Sequence, residues 1–349
     1  MSDSSKSDLT KERGQYTRQE IFSQPQVWQE GLAQLQGHLP ELQAFLQQPF
    51  KEILFTGCGS TYYLALAAAG LCRALGKQAR ALPASEIWLN SDFNRGEASL
   101  LIAVSRSGTT SETLHAAKHF KNTTRGKVLS FCCYPEASLN QLSDLRIILA
   151  QGQEESVAQT RAFSLLYLAT VFLNLVLAQR ESELSQLEKL PVIADNLLSQ
   201  GADVMRQLAH DPHFDRFYFL GSGSRYGLAA ELSLKMKEMS LSHSEPFHVM
   251  EFRHGPMSMV TASTLIICLL SQQHYEQEVK LLNELKARGA TILSLGERGA
   301  EVNFYAELDD HLNQVLYLPL GQYLAFEKAM SKGLDPDRPQ GLTAVIVLE

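Results

Sequence analysis

Apolar residues along the chain fall in short unbroken runs. Ile53–Phe55, Leu100–Val104 and Phe217–Leu220 are runs of this kind, the form expected of strands buried on both faces. A glycine- or hydroxyl-rich turn and a stretch of helical period follow. The order therefore reads strand, turn, helix, strand, helix, strand. Such alternation predicts an α/β protein with doubly wound parallel sheets flanked by helices, and ligands at the carboxyl ends of the strands. The most apolar stretch, Phe163–Ala178, is shorter than the ~20 residues of a membrane span. Its polar members Ser164, Tyr167, Thr170 and Asn174 share one helical face, which predicts a buried core helix.

The pattern occurs twice. FKEILFTGCGSTYYLALAA begins at Phe50 and FDRFYFLGSGSRYGLAAEL at Phe214, 164 positions later. That offset aligns Gly57 with Gly221, Gly59 with Gly223 and Tyr62 with Tyr226. It also carries Leu100–Val104 onto Thr264–Cys268 and Val128–Ser130 onto Ile292–Ser294. One offset fitting three segments predicts two copies of one domain. We expect an N-terminal arm over residues 1–30, a first domain over 31–195 and a second over 196–349. The polar segment Ser182–Pro191, with the helix after it, marks the boundary.

The first copy alone has a hydroxyl cluster at the exit of its third apolar run, AVSRSGTTSET from Ala103 to Thr113. A helix starting near Gly108–Thr110 would present unpaired N–H groups and a positive dipole end there. Hydroxyls add donors without fixed charge, and glycine lets the backbone come close. A plain helix cap needs one hydroxyl, but Ser105, Ser107, Thr109, Thr110 and Ser111 crowd a single turn. A phosphate cradle is therefore expected. The second copy has Leu269, Leu270, Ser271, Gln272 and Gln273 at the same offset, so the fold does not need the cluster. Gly221, Gly223 and Gly227 miss the dinucleotide fingerprint by one position, and no ribose-binding acid follows the first turn.

Composition narrows the field. A chain of 349 residues suits two domains rather than one ordinary core. A formal charge of −7 argues against nucleic acid or an anionic membrane as partner. The N-terminus reads as polar, without a signal peptide, and no helix-turn-helix is evident at the termini. Five cysteines without paired spacing fit a reducing cytoplasm and give neither a disulfide frame nor a zinc motif. His243, Glu245, His248 and His254 lack metal-ligand spacing, so no metal is expected.

Proton transfer between adjacent carbons needs one carboxylate held away from water. Glu238, among Met236, Met239 and Leu241, is a candidate. A surface ion pair with Lys235 one turn earlier accounts for it equally well from spacing alone. His254, in a turn fixed by Gly255-Pro256, suits a group titrating near neutral pH, or an ordinary structural histidine.

Together, the strand ending in S-x-S-G-x-T, the duplicated G-x-G-S/T turn and LKMKEMSLSHSEPF…EFRHGP resemble the sugar isomerase (SIS) family. SVAQTRAF and the closing PQGLTAVIVLE also resemble family segments, so the likeness runs from about residue 20 to the C-terminus. It implies two tandem SIS domains, each a flavodoxin-like three-layer αβα unit. It is nearest to the isomerase half of glucosamine-6-phosphate synthases and to stand-alone phosphosugar isomerases, deaminases and deglycases. Ser105, Ser107 and Thr110, with the backbone of Arg106, are then implied to bind the sugar phosphate. Ser60 and Thr61 would reach the sugar or its phosphate, and Val157 and Gln159 would contact the sugar. Glu238 would shuttle the proton between C1 and C2, and Lys235 would support it. His254 would open the ring, reaching into the neighbouring subunit of a homodimer with shared sites. The implied activity is isomerisation or deamination of an amino-sugar 6-phosphate such as glucosamine 6-phosphate, without a cofactor. A fructosamine-6-phosphate deglycase and a non-catalytic phosphosugar-binding regulator are the alternatives. The chain begins Met1-Ser2-Asp3, without the cysteine-led glutaminase domain of the synthases. Ala344 stands where their tail carries an active-site lysine, so a lysine-bound imine is not implied.

Overall fold

The structure, a computed structural model, describes residues 12–90 and 98–343. Helices α1 (Gln15–Phe22) and α2 (Gln24–Leu46) open the chain. The first sheet unit follows as β1 (Glu52–Gly57), α3 (Ser60–Ala74), β2 (Ala79–Pro83), α4 (Ala84–Leu89), β3 (Ala98–Val104), α5 (Ser111–Thr124), β4 (Lys127–Cys132), α6 (Leu139–Leu142) and β5 (Leu145–Ile148). Helices α7 (Arg161–Leu177) and α8 (Leu190–His210) lead to the second: β6 (Arg216–Gly221), α9 (Arg225–Ser240), β7 (His243–Phe247), β8 (Thr264–Leu269), α10 (Tyr275–Ala287), β9 (Thr291–Gly296) and β10 (Val302–Asn303). Helix α11 (Leu318–Ser331) closes the described elements.

Every strand pairing among the described residues is parallel. The strand orders are β2-β1-β3-β4-β5 and β10-β9-β8-β6-β7, which is one doubly wound order met twice. In that order β1 and β3 are paired neighbours whose following helices lie on opposite faces of the sheet, α3 inside and α5 outside, and a ligand crevice is expected at the carboxyl ends of two such strands.

Alternate strand residues face opposite layers. Leu54, Leu101 and Ala103 meet α4 and α5 on the outside of the first sheet. Tyr218, Ile266 and Cys268 meet α10 on the outside of the second. Ile53, Phe55, Phe217 and Phe219 face inward, into one core that both sheets share with α2, α3, α7, α8, α9 and α11. The cut drawn at residue 30 falls inside α2, and that at 195 inside α8. Both helices run on because their apolar stripes belong to this shared core. The polar stripe of α7 is buried and mostly hydrogen-bonded: Ser164 accepts from Trp28 (2.8 Å), Tyr167 donates to Gln314 (3.0 Å), and Asn174 donates to the carbonyl of Ala68 (3.0 Å), its own Oδ1 having no partner among the described residues.

The two copies cross closely at α3 and α9, which run in opposite directions. Gly70 lies against Ser224, and Gly227 against Tyr63 and Ala67. A Cβ on Gly227 would stand 2.5 Å from both the Ala67 nitrogen and the Tyr63 carbonyl oxygen. Backbone cannot swing aside as a side chain can. Gly227→Ala should therefore cost about 1–3 kcal/mol in denaturant unfolding by forcing the helices apart. An unchanged unfolding midpoint would show that the crossing is looser than this.

Candidate active site

The glycine turns that precede α3 and α9 have the same cause in both copies. A Cβ on Gly57 would lie 2.6 Å from the backbone of Thr61, and one on Gly221 2.6 Å from the carbonyl of Arg225. Gly59 and Gly223 have φ of 54° and 60°, a region costly for other residues. The turn in the first copy delivers Ser60 as the opening residue of α3. Thr61 turns inward: its hydroxyl donates to the carbonyl of Cys58 (3.0 Å) and accepts that residue's amide (2.9 Å).

Beside it, the exit of β3 forms the hydroxyl loop. Ser105 accepts the amide of Gly108 (3.0 Å) and stands 3.4 Å from the Thr110 hydroxyl. Ser107 accepts the amide (3.2 Å) and the hydroxyl (3.1 Å) of Thr109. Thr110 is the N-cap of α5, yet its side chain makes no cap bond. Gly108 has φ 63° and leaves no room for a side chain, since a Cβ would meet that of Ala137 at 2.4 Å.

Arg106 contributes more than its backbone. Its buried guanidinium reaches Glu154 (3.0 Å) and the carbonyls of Ser156 (3.1 Å) and Val157 (3.0 Å). Glu154 in turn accepts the amides of Thr160 (2.8 Å) and Ala162 (3.1 Å) at the start of α7. The segment carrying Val157 and Gln159 is thereby tied to the hydroxyl loop. The Oε1 of Gln159 is buried without a hydrogen-bond partner among the described residues, leaving an acceptor for a ligand's donor.

At the matching loop of the second copy the chain supplies its own anions. Glu278 accepts the amide of Ser271 (2.7 Å), and Asp310 accepts that of Gln272 (3.2 Å) while pairing with Arg225. Carboxylates from elsewhere in the chain thus hold this loop in the second copy, where the first copy has its hydroxyls.

The α3–α9 crossing brings Ser60 to α9, where its Oγ accepts from the Lys235 ammonium at 3.1 Å. Lys235 is fully buried between Glu231, one turn before it at 3.3 Å, and Glu238, to which it donates a close hydrogen bond. Burial opposes the charge on Lys235, but the two carboxylates outweigh it and the net shift is upward, so the ammonium persists. Burial pushes Glu231 up to about 8, countered in part by Lys235 and reinforced by the charge of Glu238. Glu238 is the most accessible of the three, with 19% of its side chain exposed. It is therefore no surface ion pair, because the lysine holding it is wholly inside. Glu231 was missed at the sequence level. Its spacing to Lys235 and Glu238, four and seven positions along one helical face, was the available signal. At the same offset in the first copy stand Ala67, Leu71 and Ala74, so one of the two related positions is equipped.

Among the described residues, His254 makes no hydrogen bond or ion pair with this cluster. Phe252 anchors its loop against Tyr218 and Phe247 at centroid distances of 5.0 and 5.4 Å, and Arg253 pairs with Glu284 at 2.9 Å. The His254 side chain is exposed, and among the described residues its imidazole makes no hydrogen bond or ion pair. His243, Glu245, His248 and His254 do not gather as ligands. Among the described residues, the one grouping with metal-ligating geometry is Glu183, Asp309 and His311, where Glu183 is already engaged by His311 (2.6 Å) and by Arg180. No described helix is long and apolar enough to cross a membrane. Ala344 lies outside the described residues.

A family model for the SIS domain matches residues 48–176 and 213–301. The chain is 31% identical over 362 residues to the glutamine–fructose-6-phosphate aminotransferase (isomerizing) of Helicobacter pylori strain J99, covering 96% of this chain and 59% of that relative. It therefore spans little more than half the length of such relatives. Among solved structures it is similar to a glucosamine-6-phosphate deaminase from Thermotoga maritima, at 30% identity and TM-score 0.76, covering 91% of this chain and 99% of the other. The fold is also that of a tagatose-6-phosphate ketose/aldose isomerase from Escherichia coli, at TM-score 0.83 and 21% identity, over 95% of this chain and 96% of that one.

Proposed function

The chain belongs to the SIS domain family, and from that premise we propose that it is an enzyme of phosphosugar isomerisation or deamination, acting on an amino-sugar 6-phosphate such as glucosamine 6-phosphate. The observation that carries this reading is the contact of Ser60, which follows β1 next to the β3 exit that bears the hydroxyl loop, with a buried lysine that holds Glu238, a carboxylate with 19% of its side chain exposed. Ser105, Ser107 and Thr110 receive the phosphate. The orphan acceptor of Gln159 takes a donor from the sugar, a hydroxyl or the ammonium.

The chemistry follows from charge placement. His254 of the partner subunit opens the ring; its exposure on its own chain supports a homodimer with shared sites. Glu238 removes the proton from C2, the freed electron pair forms the C1–C2 double bond, and O1 takes a proton from solvent to give the enol. The same carboxyl then returns the proton to C1, leaving an imine at C2. Water adds to that imine, ammonia departs, and a ketose 6-phosphate remains. Lys235 keeps Glu238 oriented through both transfers by its hydrogen bond to that carboxylate.

The test is a panel of sugar phosphates assayed for ammonia and for ketose. Glucosamine 6-phosphate should yield both in equal amounts. An aldose or ketose 6-phosphate converted without ammonia would favour plain isomerisation, and a fructosamine 6-phosphate releasing its amine would favour the deglycase. Binding without turnover of any member would mark a regulator. No binding of any member would overturn the proposal.

A further inference from the structure

We propose that Glu20, on α1, is a positioning residue for the sugar-phosphate site: its buried carboxylate holds the 154–160 segment in the shape that presents Arg106 and Gln159. This rests on the functional reading above.

Glu20 lies far along the sequence from every group assigned to the site, and in a stretch expected to be an arm. Its side chain is buried all the same. The Oε1 accepts the amides of Glu155 (2.7 Å) and Ser156 (3.2 Å), and the Oε2 receives the Ser156 hydroxyl in a close hydrogen bond. One carboxylate thus fixes two successive amides of a segment with no regular secondary structure. The carbonyls of Ser156 and Val157 point the other way, to the Arg106 guanidinium. Glu20 and Arg106 therefore grip the segment from opposite sides, and Arg106 belongs to the hydroxyl loop itself.

A second hold acts on the same residues. The amide of Val157 donates to the carbonyl of Asp337 at 3.0 Å. The Asp337 carboxylate accepts the amide and the hydroxyl of Thr17, both at 2.7 Å, and the amide of Tyr16 at 3.2 Å. The first turn of α1 is thereby locked to the C-terminal segment, which sets the position from which Glu20 reaches across. Burial, and then the charge of Glu154, push Glu20 up to about 7. A neutral side chain is tolerated because Ser156 has another acceptor, the carbonyl of Ala158 at 3.1 Å.

The experiment compares Glu20→Ala, Glu20→Asp and Glu20→Gln in the full chain, with glucosamine 6-phosphate as probe. Gln keeps an oxygen for both amides and can donate to Ser156, whereas Asp keeps the charge but falls a methylene short. Ala and Asp should raise KM about tenfold and leave kcat within about twofold, because phosphate and sugar contacts loosen while Glu238 is untouched. Gln should restore KM. Hydrogen exchange at the Glu155 and Ser156 amides should accelerate in Ala and Asp and stay slow in Gln, a readout that needs no activity. If Ala does not fold, the Asp and Gln pair carries the comparison. Unchanged exchange in Asp, a wild-type KM in Asp, or a fall confined to kcat would overturn the proposal. A wild-type chain that binds no sugar phosphate would sink the functional reading instead, and the exchange data would still decide whether Glu20 holds the segment.

Discussion

Glu238→Gln should abolish exchange of the C1 and C2 hydrogens with deuterated solvent while sugar phosphate still binds. General acid–base groups contribute about 10²–10⁴-fold, so a loss in that range is expected in both exchange and kcat. The substitution preserves size, and the amide oxygen can still accept from Lys235. It also relieves the cluster. The charge of Glu238 is one of the causes that raise Glu231, so without it Glu231 ionises more readily and Lys235 retains a charged partner. The variant should therefore fold, and the loss can be assigned to the proton carrier. Exchange at the wild-type rate would exclude Glu238 from that role.

The double variant Ser107→Ala, Thr110→Ala should weaken sugar-phosphate binding by on the order of a hundredfold or more, because a hydrogen bond to a charged group contributes about 1.5–3 kcal/mol. Stability should barely change. The Thr110 side chain makes no cap bond with α5, and Ser107 bonds only within its own loop. The second copy builds the same strand and a helix after it without a hydroxyl cluster, its Ser271 and Gln272 amides being held by Glu278 and Asp310. Calorimetric titration with glucosamine 6-phosphate, beside a denaturant melt, separates the two effects. Binding as tight as wild type would place the phosphate elsewhere.

The fold was legible because its determinants are local. Apolar runs marked β1, β3 and β6, the offset carried β3 onto β8, and the repeated glycine turns marked both copies. The offset from Phe50 to Phe214 also holds for β2 and β7, Ala79 and His243, which the runs alone had not revealed. The hydroxyl loop was equally readable, since one turn contains it. The role of Arg106 was half seen: its backbone was expected, but its side chain acts on Ser156 and Val157, fifty residues away.

Residue type, period and repeat, which the sequence displays, determined the strands, the turns and the identity of the hydroxyl cluster. Pairing across the molecule was decided by tertiary structure alone. Ser60 meets Lys235, 175 positions away, because Gly70 and Gly227 let two helix backbones touch. Glu20 meets Ser156, 136 positions away, because Asp337 fixes the turn that carries it. Such meetings depend on how closely helices pack and on which small residues allow it. No periodicity along one segment records the shape of the segment it will press against, so the buried triad of Glu231, Lys235 and Glu238 acquired its environment only when the two copies closed on a common core.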